Sequence, residues 1–360
     1  MELKGLVARL PKRFTARGGG EDSPDRGLRS ILGLVDNGSA SGHDFGHGTA
    51  QPPDGSWGKP FVPMCDQYAE IFRRLSRPLE PEPVGCPSQL LPLPGLRAVL
   101  FDVYGTLLIS GSGEVGTCGA SDCQEALREA LTACGMTLRG RPQVALDLLA
   151  QRIRCTHRQL QLEGVDYPEV DVVRIWAEVL AGLADQALIC GGPWTDDELR
   201  RLAVEYEARV NPVWPMPGLE SCLARLRSHG KLLGVISNAQ FYTPALFVGL
   251  VGRTPEDLGF DPALQYYSYQ YGRAKPGTFM HRLAAEELQR REIAPSEVLY
   301  VGNDMLNDVL PARQVGFRTA LFAGDRRSYR SREDEALVAG IRPDLIVTRL
   351  AELSDCVICY

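Results

Sequence analysis

The 360-residue sequence lacks several things a working protein can be built around. No run approaches the ~20 apolar residues that a membrane-spanning helix needs, so no membrane role is expected. Met1 to Pro11 holds charges but no apolar stretch of ~7–15 residues, so no secretory signal is read there, and a cytoplasmic location is expected. There is no excess of basic charge: the formal net charge is -6, which leaves no electrostatic footprint for nucleic acid. A second CxxC pair to match Cys356–Cys359 is missing, which speaks against a zinc site. The ten cysteines lie in a long chain with ample apolar content of its own, so reduced thiols are expected. There is no internal repeat.

What is present is uneven. Residues 1–60 hold 12 of the 37 glycines and show no sustained hydrophobic period. Such a stretch buries too little apolar surface to offset its ordering entropy, so disorder is expected over 1–60. Residues 61–96 read as a leader with one short helix. Tyr68, Ile71, Phe72 and Leu75 recur at helical spacing, and Pro78, Pro81 and Pro83 stop the run.

From Arg97 short apolar runs alternate with helical patterns. Ala98–Phe101, Leu232–Ile236, Val298–Val301, Thr319–Phe322 and Leu345–Val347 are too short for helices and read as buried strands, with Tyr266–Tyr269 a shorter one. Helical patterns over Leu219–Ser228, Thr278–Gln289 and Asp308–Val315 separate them. This is an α/β fold: a Rossmann-like parallel-sheet core over 97–109 and 215–360. Residues 110–214 interrupt it with four helical patterns, the last over Asp196–Val210 with Asp196 as a candidate cap. A block this long cannot be a simple crossover and is expected to be an inserted helical cap subdomain. Trp176 and Trp214 read as packing residues in or beside it.

Ligands of open parallel sheets bind at the carboxyl ends of the strands. There the sequence places Asp102-Val103-Tyr104-Gly105-Thr106-Leu107, then Ser237-Asn238-Ala239, then Lys275-Pro276, then Gly302-Asn303-Asp304-Met305-Leu306-Asn307-Asp308. A carboxylate at a strand end beside a glycine turn, here Asp102, either caps the turn or can act as a covalent nucleophile. Asp304 and Asp308 are one helical turn apart and face the same side if a helix begins near Asp304. Two unit charges ~4 Å apart repel by roughly 4 kcal/mol at an effective dielectric of ~20. Three carboxylates in one pocket therefore call for a cation or a proton, and hard oxygen ligands suit Mg²⁺.

These four segments resemble the motifs of the haloacid dehalogenase-like hydrolase superfamily. FDVYGTL, ISNA, the lysine of AKPGT and VGNDMLND stand in that family's order, and residues 110–214 match its C1 cap; the resemblance covers about 97–360. It implies that Asp102 attacks phosphorus, or carbon in the dehalogenases, with Lys275 balancing the charge. It implies that Thr106, Ser237, Asn238 and Lys275 hold the substrate. It implies Mg²⁺ ligands from Asp102, the carbonyl of Tyr104 and an acid of the last motif. Asn303 stands where many relatives have the first aspartate, and Asp304 has the four-residue spacing to Asp308; Asp304 is favoured as ligand, with Asp308 as a ligand or its support.

Tyr104 departs from the phosphatase pattern, in which an aspartate two residues after the nucleophile acts as acid and base. Tyrosine, with an ordinary pKa of ~10, is a poor base at neutral pH. DxYGT is typical of the family's 2-haloacid dehalogenases, whose halide leaves without a proton. The first expectation is Mg²⁺-dependent hydrolysis of a small phosphate monoester through an aspartyl-phosphate. The alternatives are metal-free cleavage of a carbon–halogen bond, and a catalytically weak member that binds a phosphorylated ligand or a partner. The substrate is a small phosphorylated or halogenated molecule, and the chain is expected as a monomer or homodimer. Arg152, Arg154, His157, Arg158, Glu163, Tyr167 and Glu169 are candidate cap residues facing an anionic substrate, while the loop 165–169 as a whole has no assigned role.

Overall fold

The computed structural model describes residues 64–111 and 120–358. The stretch expected to be disordered, 1–60, lies outside the described residues.

Strands in chain order are β1 (Ala98–Phe101), β2 (Leu108–Ser110), β3 (Val213–Pro215), β4 (Leu232–Ser237), β5 (Phe260–Tyr267), β6 (Val298–Gly302), β7 (Arg318–Phe322) and β8 (Leu345–Val347). Six of them form one sheet in the order β5-β4-β1-β6-β7-β8, every neighbouring pair parallel. The apolar runs are continuous because both faces of the sheet are covered. Val99 and Phe101 point into one buried cluster, and Ala98 and Leu100 into another on the opposite face. β1 is flanked by β4 and β6, so the segments following these three strands meet at one edge.

The short helix read in the leader, α1 (Met64–Leu75), packs into this body. Tyr68 and Phe72 are buried, and their rings meet Phe241 and Tyr242 in the segment that follows β4. Beyond the prolines, Gln89 exchanges both backbone hydrogen bonds with Ile346 and so covers the outer edge of β8.

Between β1 and β4 lie helices α2 (Ala120–Ala133), α3 (Pro142–Leu162), α4 (Val172–Asp185), α5 (Asp196–Val210) and α6 (Leu219–Ser228), and α7 (Thr243–Val251) follows β4. α5 starts one residue earlier in capping than the sequence reading had it. Thr195, in extended backbone, accepts from the Glu198 N–H and completes a capping box, while Asp196 is already helical and pairs with Arg200. Trp176 is buried edge-on against Tyr206, and Trp214 packs part-buried on the core. Among the thiols, Cys123 is disulfide-bonded, which departs from the expectation of reduced cysteines. Cys86, Cys134, Cys155, Cys190 and Cys222 are free thiols. No described helix is long and apolar enough to cross a membrane.

Both linkers of the helical insert pass through one short ribbon, β2 paired antiparallel with β3, an element that no run in the sequence announced. Buried polar groups tie it together. Ser110 Oγ donates to Asn211 Oδ1 at 2.8 Å, and Asn211 Nδ2 donates to Glu207 Oε1 at 3.0 Å. Burial pushes the Glu207 carboxyl up to about 7, against the pull of its hydrogen bonds from Asn211 and Tyr242. A carboxyl raised on folding holds its proton more tightly in the folded state. Its stabilising contribution is complete below the ordinary carboxylate range and is lost as pH rises through about 7. Glu207→Gln removes that loss. The variant is expected to melt with the wild type at pH 4 and to exceed it at pH 8 by on the order of 3 kcal/mol. Thermal melts across pH check this, and parallel curves for the two proteins would refute it.

Candidate active site

The nucleophile turn is shaped by one glycine. Gly105 has φ +82, and a Cβ there would lie 2.5 Å from Ser328 Cβ and 2.8 Å from Asn303 Nδ2. Only glycine satisfies both the left-handed backbone and the close approach. The turn sends Asp102 into the sheet edge, 7% exposed, with its N–H on the Val301 carbonyl of β6.

Three of the segments singled out in the sequence converge on Asp102. Its Oδ1 accepts from Ser237 Oγ at 2.7 Å and from Lys275 Nζ at 2.8 Å. Lys275, itself buried, also donates to Asp308 Oδ1 at 2.6 Å. Burial alone would lower the lysine; the Asp102 and Asp308 carboxylates more than reverse this, and its ammonium is held above its ordinary value. Burial lifts the Asp308 carboxyl above the ordinary carboxylate range, opposed by Lys275. Asn238 lies beside the group but spends both ends of its amide on the lysine's own backbone: Oδ1 accepts from Lys275 N at 2.7 Å and Nδ2 donates to Lys275 O at 3.1 Å. Thr106 is fully buried and donates to Asn303 Oδ1 at 3.2 Å.

Asp304 and Asp308 pair with different cations. Asp304 has extended backbone and caps a wide turn, Met305–Val309, that precedes helix α9 (Leu310–Gln314). The spacing rule for i and i+4 needs both residues inside a helix, and Asp304 stands outside it. Its Oδ1 accepts from the Leu306 N–H at 2.8 Å. Arg332 then grips the same carboxylate with both prongs, Nε to Oδ1 at 3.1 Å and Nη2 to Oδ2 at 2.7 Å. Arg332 itself has φ +53, an uncommon conformation for a residue with a side chain. The sequence reading missed Arg332 because its approach depends on the segment after β7 folding back over the last motif. That segment pairs by Arg330 N–H to Asn303 O at 2.9 Å and Met305 N–H to Arg330 O at 3.0 Å.

The donors present fit Mg²⁺ poorly. Asp304 is consumed by Arg332. Asn303, whose side chain lies beside Gly105, is neutral and uses both ends of its amide, the second on Ser328 O at 2.6 Å. Both oxygens of Asp308 are taken, Oδ2 by the Asp304 N–H at 2.9 Å. Among the described residues no three His, Cys, Asp or Glu are grouped to hold a metal. The three carboxylates are paired with two side-chain cations, Lys275 and Arg332.

Tyr104 is a weaker acid than an ordinary tyrosine. Burial, then the nearby Glu207, raises its hydroxyl well above the ordinary value, and that hydroxyl is paired with Thr243 Oγ1 at 3.0 Å. Of the candidate cap residues, Arg154, Arg158 and Glu163 are exposed and Arg152, His157 and Tyr167 half-buried. Glu169 is buried and accepts from Ser268 Oγ at 2.8 Å. The loop carrying it, left without a role above, docks onto the strand-end loop that leads into Lys275. Ala274 N–H donates to Tyr167 O at 2.7 Å, and Glu169 N–H donates to Gly272 O at 3.0 Å.

A family model described as haloacid dehalogenase-like hydrolase matches residues 96–316. No curated protein matches the chain. Among solved structures it is similar to the 2-haloacid dehalogenase of Pseudomonas syringae pv. Tomato, with 19% identity, TM-score 0.48, and coverage of 72% of this chain and 97% of the other. It is also similar to CbbY of Rhodobacter sphaeroides in complex with phosphate, with 19% identity, TM-score 0.41, and coverage of 72% and 96%.

Proposed function

The chain belongs to the haloacid dehalogenase-like hydrolases, and from that premise we propose that it forms an ester on Asp102 without a divalent cation, displacing halide from a small 2-haloacid. The observation that carries this reading is the neutralisation of the last-motif acids by Lys275 and Arg332. With Oδ1 held by Ser237 and Lys275, Asp102 Oδ2 is the oxygen left to attack. Its lone pair forms the bond to the substrate carbon, the carbon–halogen bond breaks, and the halide leaves with that electron pair. No proton is needed, which suits a site whose tyrosine hydroxyl is a weaker acid than usual and is paired with Thr243. Water then cleaves the ester, regenerating the Asp102 carboxylate and releasing a 2-hydroxy acid and a proton. Lys275 stays positive throughout and offsets the charge that moves from carboxylate to halide.

A second reading, hydrolysis of a phosphate monoester with Mg²⁺, is favoured by the charge count at Lys275. Two carboxylates share that one ammonium, which leaves one unit of negative charge beside the attacking oxygen. A single experiment separates the two: halide release from 2-chloro- and 2-bromopropionate, and phosphate release from p-nitrophenyl phosphate, each with Mg²⁺ and with chelator. The expected result is halide release that chelator leaves unchanged. Phosphate release abolished by chelator establishes the second reading, and no release of either ion leaves a member that binds without turnover.

A further inference from the structure

Lys275 has three N–H bonds and four acceptors around it. Besides Asp102 and Asp308, Tyr300 OH lies at 3.0 Å and the Ile236 carbonyl at 3.3 Å. Tyr300 has one proton and two acceptors, Ile236 O at 2.8 Å and Asp308 Oδ1 at 3.1 Å. One assignment uses every proton on its shorter contacts. Tyr300 donates to Ile236 O, and Lys275 donates to Asp102, Asp308 and Tyr300. The tyrosine oxygen is then the neutral third leg on which the ammonium stands. It sets the rotation that aims one N–H at Asp102.

The ring that carries this oxygen is held in place from behind. Tyr300 is 1% exposed on β6, and the ring of His281, on helix α8 (Phe279–Arg290), meets it edge-on with centroids 4.7 Å apart. Both ring nitrogens of His281 are buried with no hydrogen-bond partner among the described residues. Burial first, then Lys275, holds this histidine well below its ordinary value, so it is a neutral wall and does not compete for the tyrosine proton.

We propose that Tyr300 is a positioning residue of the reaction centre, acting through Lys275 to orient the ammonium toward Asp102. The kinetic part rests on Asp102 being the nucleophile, as in the reading above; the spectroscopic part does not. Tyr300→Phe keeps the ring and removes only the oxygen. The third N–H of Lys275 is left to the 3.3 Å carbonyl, and the ammonium turns more freely. Turnover is expected to fall about 10- to 100-fold with KM unchanged, because an unmet buried donor is costly and substrate binding is not touched.

The decisive measurement needs no substrate. The chain has five lysines, so a spectrum of lysine ¹⁵Nζ is sparse, and Lys275→Met identifies the signal of Lys275. In the wild type this buried ammonium is expected to give a signal protected from exchange with water, and in Tyr300→Phe the protection is expected to be lost while near-UV circular dichroism is retained. Protection unchanged in Tyr300→Phe, or absent from the wild type, overturns the proposal whatever the kinetics. If no substrate is turned over, the reading of the reaction fails while the role of Tyr300 is still decided by this spectrum.

Discussion

Asp102→Asn abolishes measurable turnover, by on the order of 10⁴- to 10⁶-fold, and leaves the fold intact. The amide matches the carboxylate in shape and keeps an oxygen for Ser237 Oγ, now 2.7 Å from Oδ1. What it lacks is the negative charge and the free lone pair that form the ester, and losing the nucleophile of a covalent mechanism costs the whole covalent route. The loss of charge is tolerated because Lys275 keeps Asp308 as its counter-ion. Steady-state rates on the substrate identified by halide or phosphate release measure the effect. A single turnover of the wild type in ¹⁸O-labelled water adds a complementary check, since hydrolysis at the carboxyl carbon leaves label in the peptide that holds Asp102. A variant with a tenth or more of wild-type activity would remove Asp102 from the role of nucleophile.

Lys275→Met damages both activity and stability. The methionine fills similar space but takes away the one cation between Asp102 and Asp308, whose side chains are 10% and 2% exposed. Removing one partner from a buried ion pair typically costs about 3–5 kcal/mol, because the charge left behind has neither water nor counter-ion. In a domain of this size that amounts to a fall in Tm of roughly 6–20 °C. The sign of its pH dependence follows from the carboxylates. Without the ammonium the Asp308 carboxyl is raised further, so the variant recovers stability as pH falls and that group takes up a proton. The gap between wild type and variant is therefore expected to be wide at pH 8 and narrow at pH 5. Lys275→Met with Asp308→Asn, which removes one of the stranded charges, should regain much of the loss at pH 8. A gap independent of pH would mean that Lys275 matters for packing and not for charge.

Both effects arise from a lysine preceded by an alanine and followed by a proline in a loop, and nothing local marks such a residue as buried. Its order in the chain, after the serine of β4 and before the acids of β6, is what made it legible. The strands were legible for a simpler reason: Ala98–Phe101 and Leu345–Val347 are apolar on every residue because both faces of a parallel sheet are covered. The strand β5 was only half seen. Near its start Asp261 is half-buried and Pro262 and Ala263 are exposed, and they break the apolar run that a buried strand presents.

The last motif shows where spacing misleads. Four residues from Asp304 to Asp308 suggested one helical face, and one residue of difference at the helix start, Asp304 capping from outside, sent the two carboxylates to different cations. Tyr300 and Arg332 were missed for related reasons. One sits inside an apolar strand run where an aromatic is ordinary, and the other comes from a segment whose fold-back is set by backbone pairing with Asn303 and Met305.

By itself the sequence determined the α/β class, the order of the strands along the chain, the helical interruption, and the strand ends at which Asp102, Ser237, Lys275 and Asp308 would gather. Those properties follow from periodicity and from the rule that ligands sit at the carboxyl ends of parallel strands, and both are local or topological. Only the tertiary structure decided how charge is balanced at that edge. Coulomb energy depends on separations of a few ångströms between residues far apart in the chain, and a capping geometry or a folded-back arginine changes those separations without altering any motif.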